Sequence, residues 1–405
     1  MNIFSRIVKA YQIGANVLKS NISAINYLPS SFKSVSYKNN YYSMYEECPA
    51  VGIGVLKKSQ AISTGKIVAI NDKEEKITNA AFLKDLKVID NPNAYQNRSQ
   101  FIKTIETFMN IYGVAYVYRI VPIGFKDVKS MVVIPNNAIT VNYKIASYIN
   151  QESIVLSYQI NLFGMSYNIT GDDLNNMIPI YDASIELKEV IKPKSRLDLV
   201  YKNIENIAFS IESRQTTIKN RGAEVLLSPE RGDAAGILTA LHPKEIDEIQ
   251  KEYRKYGSLS NQWHTMITKI PMRATKLTRT PTELGLFDSE NADYRAVALA
   301  MGIPAPLMAL PDTSKYNTYL EAKKEFYDDC IIPESQSIAE GFDKIFNTKE
   351  KGYSFMFDFS HLSFMQEDKK LKADTYASMS NSIRANVEAG ILTIEEAKEI
   401  LKGYE

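Results

Sequence analysis

Along residues 101–113, FIKTIETFMNIYG, the apolar positions Phe101, Ile102, Ile105, Phe108 and Met109 share one face of a helix, and Gly113 follows as its stop. The pattern before it differs. Residues 35–90 read as short β-type runs and turns, with AISTGKIVAI a strand and NDKEEK a charged, solvated tip. NPNAYQNRSQ is turn chemistry around Pro92. After the helix, VAYVYRIVP and MVVIPNNAITV are rich in β-branched and aromatic residues and predict paired strands. SIVLSYQINLF and MSYNIT continue the strand character, so the first 190 or so residues read as α+β.

From 196 the period changes. Val200, Ile204, Ile207, Ala208 and Ile211 predict a long amphipathic helix ending at Gly222. A small unit follows, in which the strand-like AEVLLS and HTMITKIP flank PKEIDEIQKEYRKYG. That middle segment reads as a helix from Pro243 to Gly257, with Ile246, Ile249, Tyr253 and Tyr256 on one stripe. Another helix is expected over 289–302. Thr318 and Glu321 then form a T-x-x-E box opening a helix to Phe346, which Pro333 should kink. The chain closes with a helix stopped by Gly390 and a further box, Thr393 and Glu396. At the amino terminus, Ile3, Phe4, Ile7, Val8 and Tyr11 recur at helical spacing, which favours a surface-docked helix over a signal peptide.

Composition narrows the function classes. The 405 residues carry 48 basic and 47 acidic side chains, a net charge of +1, so tight binding through many phosphates is not expected. Two cysteines, Cys48 and Cys330, give neither a disulfide framework nor a metal signature. The longest nearly uncharged run, Ala296–Pro311, is too short for a membrane span and is broken by Pro304, Pro306 and Pro311.

Candidate chemistry is sparse. Asp312 followed by Glu321 and Lys323 matches the PD…ExK arrangement of metal-dependent nucleases, in which paired carboxylates hold a cation. Two residues apart on a helix, however, Glu321 and Lys323 would point apart. VGIGVLKK lacks the third glycine of a dinucleotide loop, and no phosphate-binding G-x-x-x-x-G-K-[ST] is present. His242, His264 and His361 are scattered. No catalytic residue, metal ligand or cofactor site is therefore assigned. A nuclease using Asp312, Glu321 and Lys323 stays as the alternative, and a peripheral membrane scaffold using residues 1–20 as a third reading.

The order of segments resembles the portal proteins of tailed bacteriophages, of the compact siphovirus type. The resemblance rests on five stretches in sequence: NPNAYQNRSQFIKTIETFMNIYGVAYVYRI, NIENIAFSIESRQTTIKNRG, LFDSENADYRAVALAMGIPAPLM, SKYNTYLEAKKEFYDDCIIPESQSIAEGFDKIF and DKKLKADTYASMSNSIRANVEAGILTIEEAKEIL. It spans residues 85–402. The family's usual asparagine is Val114 here, and Ile394-Glu395 stands where Asn-Glu is common.

The resemblance implies a portal fold: an α+β wing (35–195), stem helices (196–221 and 283–303), a small α/β clip (222–282) and a tunnel loop (304–317). A kinked wing helix with its following strand (318–362) and a helical crown (363–405) complete it, after an amino-terminal arm (1–34). It implies a non-enzymatic ring, usually of about twelve copies, at one capsid vertex. Double-stranded DNA would pass through it, with terminase large subunit, head-tail adaptor and major capsid protein as partners and no membrane. The place implied is the virion, with host cytoplasm during assembly. Thr313, Ser314, Lys315, Tyr316 and Asn317 would face the DNA, with Lys315, Ser314 and Asn317 touching its backbone. Gly302, Pro304 and Pro306 would turn the chain, and small Ala296, Ala298 and Ala300 would let neighbouring helices in the ring approach closely. Tyr256, Trp263 and Arg273 would meet partners at the clip, unless Trp263 packs the clip's own core.

Overall fold

The computed structural model describes, with short gaps, residues 40–144, 154–182, 193–219, 286–308 and 316–389, together with two strands and a few helical residues between 225 and 276. The expectations for residues 1–34, for HTMITKIP, for Gly390 and for Glu396 of the last capping box lie outside the described residues.

The described residues begin with helices α1 (Tyr41–Glu47) and α2 (Pro49–Ser63), where β-type runs were expected. The reason lies in the spacing of VGIGVLKKSQAIS. Val51, Val55, Lys58 and Ile62 are buried at helical intervals, and Pro49 occupies the first turn, where it costs no hydrogen bond. Strands β1 (Lys66–Ile70) and β2 (Lys76–Ile77) follow around the charged tip. Helix α3 (Ala80–Asp90) was likewise not foreseen; its N-cap is Asn79, whose side chain accepts from the Phe82 amide at 2.7 Å. Helix α4 (Arg98–Tyr112) starts on a capping box of Asn97 and Gln100 and stops at Gly113, which is left-handed at φ +77°.

Three antiparallel sheets build the remainder of this half. β3 (Val114–Ile120) lies between β4 (Ser130–Ile134) and β8 (Met177–Tyr181). β6 (Val155–Leu162) lies between β5 (Ile139–Tyr143) and β7 (Met165–Ile169). The third joins distant parts of the sequence: β1 pairs with β11 (Ser354–Asp358), Lys66 opposite Asp358 and Ile70 opposite Ser354.

Helix α5 (Tyr201–Lys219) and helix α6 (Leu286–Ala300) bracket an antiparallel strand pair, β9 (Val225–Pro229) and β10 (Met272–Lys276). Helix α7 (Tyr316–Phe326) begins two residues before the expected box, so Thr318 lies inside the helix rather than capping it. The expected single kinked helix is two segments, α7 and α8 (Ile332–Phe346), joined by π-helical residues Tyr327–Ile331. Pro333 opens α8, where its missing N–H is tolerated because the widened π turn precedes it. Helices α9 (Thr348–Lys351) and α10 (Ser363–Glu388) complete the described chain.

The main core joins α2, α4 and α8 to the sheets. Phe82, Phe342, Phe346, Phe355, Phe357 and Phe359 bury their rings there, several in edge-to-face contact. Among the described residues no helix is long and apolar enough to cross a membrane.

Candidate functional site

Among the described residues, two sets of buried polar contacts lie where α5 and α6 meet the rest of the fold. The two helices run antiparallel, since Asn203 reaches Asp293 at 2.7 Å while Arg214, further along α5, reaches Glu290 at 2.6 Å. Ser210 also donates to Glu290 at 3.0 Å. Glu290 and Asp293 are nearly buried, so their partners fix the register of an otherwise apolar contact. Glu290→Ala should cost about 1–3 kcal/mol, because Arg214 and Ser210 lose their acceptor; chemical denaturation of the full chain measures it.

At the end of α6 the chain reverses. Gly302 is left-handed at φ +71°, and the Ile303 amide returns to the Ala298 carbonyl at 2.9 Å. The Pro304 carbonyl accepts from the Leu307 amide at 3.0 Å, within a 3-10 turn over Ala305–Met308 that contains Pro306. Ala298 is buried within its own chain, and Ala296 and Ala300 are half-buried. Leu299, by contrast, is 80% exposed.

Beneath that turn lies a buried ionic cluster. Lys58 of α2 is fully buried and donates to Glu334 of α8 at 2.7 Å, with Glu106 of α4 at 3.9 Å. Arg196, in the 3-10 turn leading into α5, grips Asp182 with two 2.5 Å bonds and reaches Glu334 at 2.7 Å. The Cys330 thiol lies 3.7 Å from the Met301 carbonyl and 3.6 Å from Glu334 Oε1. Burial works against the Lys58 charge, but Glu334 and the other acidic groups outweigh it and hold its pKa above the ordinary value. Burial also opposes the Glu334 charge, and Lys58 and Arg196 reverse that, holding its carboxyl below the usual range. The cluster thus ties α2, α4, α8, the lead-in to α5 and the turn after α6 at one point.

Sequence reading missed this cluster. The available signal was Lys58 on the apolar stripe Val51–Val55–Ile62, and Glu106 and Asn110 on the stripe of α4. A charge on a buried stripe asks for a partner.

The sequence-derived site residues fare differently. Gly302, Pro304 and Pro306 lie in the turn described above. Thr313, Ser314 and Lys315 lie outside the described residues. Tyr316 and Asn317, expected in a loop, are the first residues of α7. Arg273 is in β10 opposite Ser228, and Tyr256 and Trp263 lie outside the described residues. Of the nuclease residues, Asp312 lies outside the described residues. Glu321 is exposed on α7, while Lys323 turns away to sit 4.8 Å from the centre of the Phe364 ring. Glu321 and Lys323 do not converge, and the nuclease reading has no support. No group of three or more His, Cys, Asp or Glu placed to hold a metal occurs among the described residues.

Comparison with known proteins decides the family. Residues 55–401 match the family described as Phage portal protein. The chain belongs to the phage portal protein family. Solved structures show the same fold at low identity. The neck of an empty gene transfer agent particle with C6 symmetry matches with a TM-score of 0.59 at 14% identity, over 90% of this chain and 93% of that one. The neck of the native particle with C12 symmetry gives 0.57 at the same identity and coverage. An HK97-family phage portal protein from Corynebacterium diphtheriae gives 0.53 at 14% identity, over 77% of this chain and 92% of that one. An uncharacterized protein of Rickettsia felis (strain ATCC VR-1525 / URRWXCal2) is 22% identical over 144 residues, 35% of this chain. The match spans 37% of that protein's length. The family expected from the ordered sequence segments is the family found, and the mixed helix-and-sheet architecture is the portal fold.

Proposed function

We propose that this portal-family chain assembles into a ring of about twelve copies at one vertex of a phage or gene-transfer capsid, as the channel for DNA packaging and ejection. The observation that carries the reading is the family match over 55–401, supported by likeness to particle necks of C6 and C12 symmetry.

On this reading α5 and α6 are the stem, and residues 35–195 with 318–362 form the wing. Residues 222–282 form the clip, which receives the terminase large subunit and later the head-tail adaptor, with Tyr256, Trp263 and Arg273 as contacts. Residues 363–405 form the crown. The major capsid protein surrounds the ring, and assembly takes place in the host cytoplasm.

Residues 304–315 and the start of α7 would face the channel, the loop supplying Thr313, Ser314 and Lys315 and the helix Tyr316 and Asn317. Ring symmetry turns one Lys315 per chain into a belt of positive charge. A net charge of +1 over 405 residues suits a conduit, because each bound phosphate adds affinity that would stall a moving duplex. The chain would supply no catalysis; the motor would be the docked ATPase.

The test is mass and rotational symmetry of the full chain, alone and co-expressed with its capsid protein, by mass photometry and negative-stain microscopy. The expected result is a hollow ring of roughly 550 kDa, twelve chains of 45.8 kDa each. A monomer or dimer under both conditions overturns the proposal.

A further inference from the structure

The buried cluster beneath the α6 turn gathers two glutamates on one lysine. Lys58, Glu106 and Glu334 are buried, and Arg196, whose side chain is 19% exposed, also reaches Glu334. The bonding of the two glutamates does not balance. Glu334 Oε1 takes Lys58 and Arg196, and Glu106 Oε1 takes the Asn110 amide at 2.5 Å. Glu106 Oε2 and Glu334 Oε2 are buried with no donor from any other group. Yet both carboxyl groups converge on the Lys58 ammonium, Glu334 Oε1 at 2.7 Å and Glu106 Oε1 at 3.9 Å, and each shifts the other's titration. Two ionised carboxylates cannot bond, and a buried, unpaired negative charge is far too costly to persist.

We infer that Glu106 and Glu334 share one proton, resident on Glu106, so that a carboxylic acid donates to a carboxylate. One proton accounts for both orphan oxygens. It resides on Glu106 because the two cations lie closest to Glu334. Every group facing the pair agrees with this. Lys58 from α2 and Arg196 from the lead-in to α5 stabilise the Glu334 charge. Asp182, beyond β8, is taken by Arg196. Asn110, on the same helix as Glu106, leaves the second oxygen of Glu106 free to carry the proton. Cys330 from the π turn is a further donor, its thiol pushed up to about 12 chiefly by burial. Burial first, and Glu334 second, push the Glu106 carboxyl up to about 8.

The consequence is a pH-sensitive joint between the main core and the turn after α6. Glu106 binds its proton more tightly in the folded chain, at about 8, than its ordinary value of 4.5. The stability it contributes is therefore full below about 4.5, falls as pH rises, and is gone above about 8. Across that window the unfolding constant rises up to tenfold per pH unit from this group alone. Above it, a second negative charge faces Glu334 where Lys58, Arg196 and the Met301 carbonyl meet.

Glu106→Gln in the full-length chain is the test. The amide keeps the shape, accepts from Asn110 and donates permanently to Glu334 without titrating. Expected are a thermal stability equal to or above wild type at about pH 8 and a flattened pH dependence between about pH 5 and pH 8. Infrared difference spectra of the folded wild type between about pH 6 and pH 9 should show the C=O band of a buried protonated carboxyl, absent from the variant. Identical pH dependence of wild type and Glu106→Gln overturns the inference, as does the absence of that band from the wild type. Should the variant fail to fold, the wild-type band alone decides.

Discussion

Lys58→Met should destabilise the chain by about 3–5 kcal/mol, the cost of removing one partner from a buried ion pair. The Lys58 ammonium is wholly inside the protein, 2.7 Å from Glu334. Methionine replaces its hydrocarbon stem well enough that packing changes little. What is lost is charge: Glu334 keeps Arg196, but the cluster gains an uncompensated negative charge. A urea titration followed by circular dichroism reads the loss as a lower midpoint with an unchanged slope. Because the Lys58 pKa is raised in the folded chain, its contribution is present throughout the neutral range and declines only as pH climbs past its ordinary value of 10.5. Adding Glu106→Gln to Lys58→Met should not restore it, since Glu106 is already neutral at pH 7 on the shared-proton account. Adding Glu334→Gln should restore part of it, because removing both halves of a buried pair costs less than removing one. A Lys58→Met chain within about 1 kcal/mol of wild type would show that the cluster contributes little net stability.

The sequence was most legible where pattern and cap agree. For α4, the stripe of apolar residues and the stop at Gly113 were both readable, because glycine enters the left-handed turn that ends a helix without the steric cost a side chain carries. The strands β3 to β7 were readable for a similar reason: β-branched and aromatic runs pack poorly as helices. α2 was not, because two glycines in VGIGVLKKSQAIS lower helix propensity, and Lys58 on the buried face hides the stripe that tertiary burial reveals. The break at Tyr327–Ile331 shows the opposite error. Pro333 signalled a disturbance correctly, but the backbone absorbs it one turn earlier, as a π segment. The ionic cluster was the least legible part of the site. Its members come from five separated segments, between Lys58 and Glu334, and only the fold brings them together. The family itself was legible in the order of short turns and helix ends rather than in any one motif, since these fix where a chain reverses.

Gly113→Ala should cost about 2–5 kcal/mol, well beyond the loss expected from backbone conformation alone. Gly113 stands at φ +77°, where an L side chain costs roughly 1–2 kcal/mol. A Cβ there would also lie 2.5 Å from the Lys194 carbonyl oxygen and 2.9 Å from its carbon. That neighbour is backbone, not the end of a flexible side chain, and it cannot step aside cheaply. Gly113 is held from both sides, its amide bonded to the Met109 carbonyl at 2.8 Å and its own carbonyl accepting from the Asp182 amide at 2.9 Å. Gly352→Ala is the control, because Gly352 has φ +71° but nothing within 4 Å of the added atom. The difference between the two variants isolates the clash, expected at about 1–3 kcal/mol. Equal losses would mean that Lys194 yields. If it does, the strain passes along Ser195 and Arg196 into α5, and ring formation should suffer more than stability does. The close approach of Gly113 to Lys194 thus sets where the chain leaves the sheets for the helix pair, and Asp182, bonded to Gly113, anchors Arg196 two residues beyond Lys194.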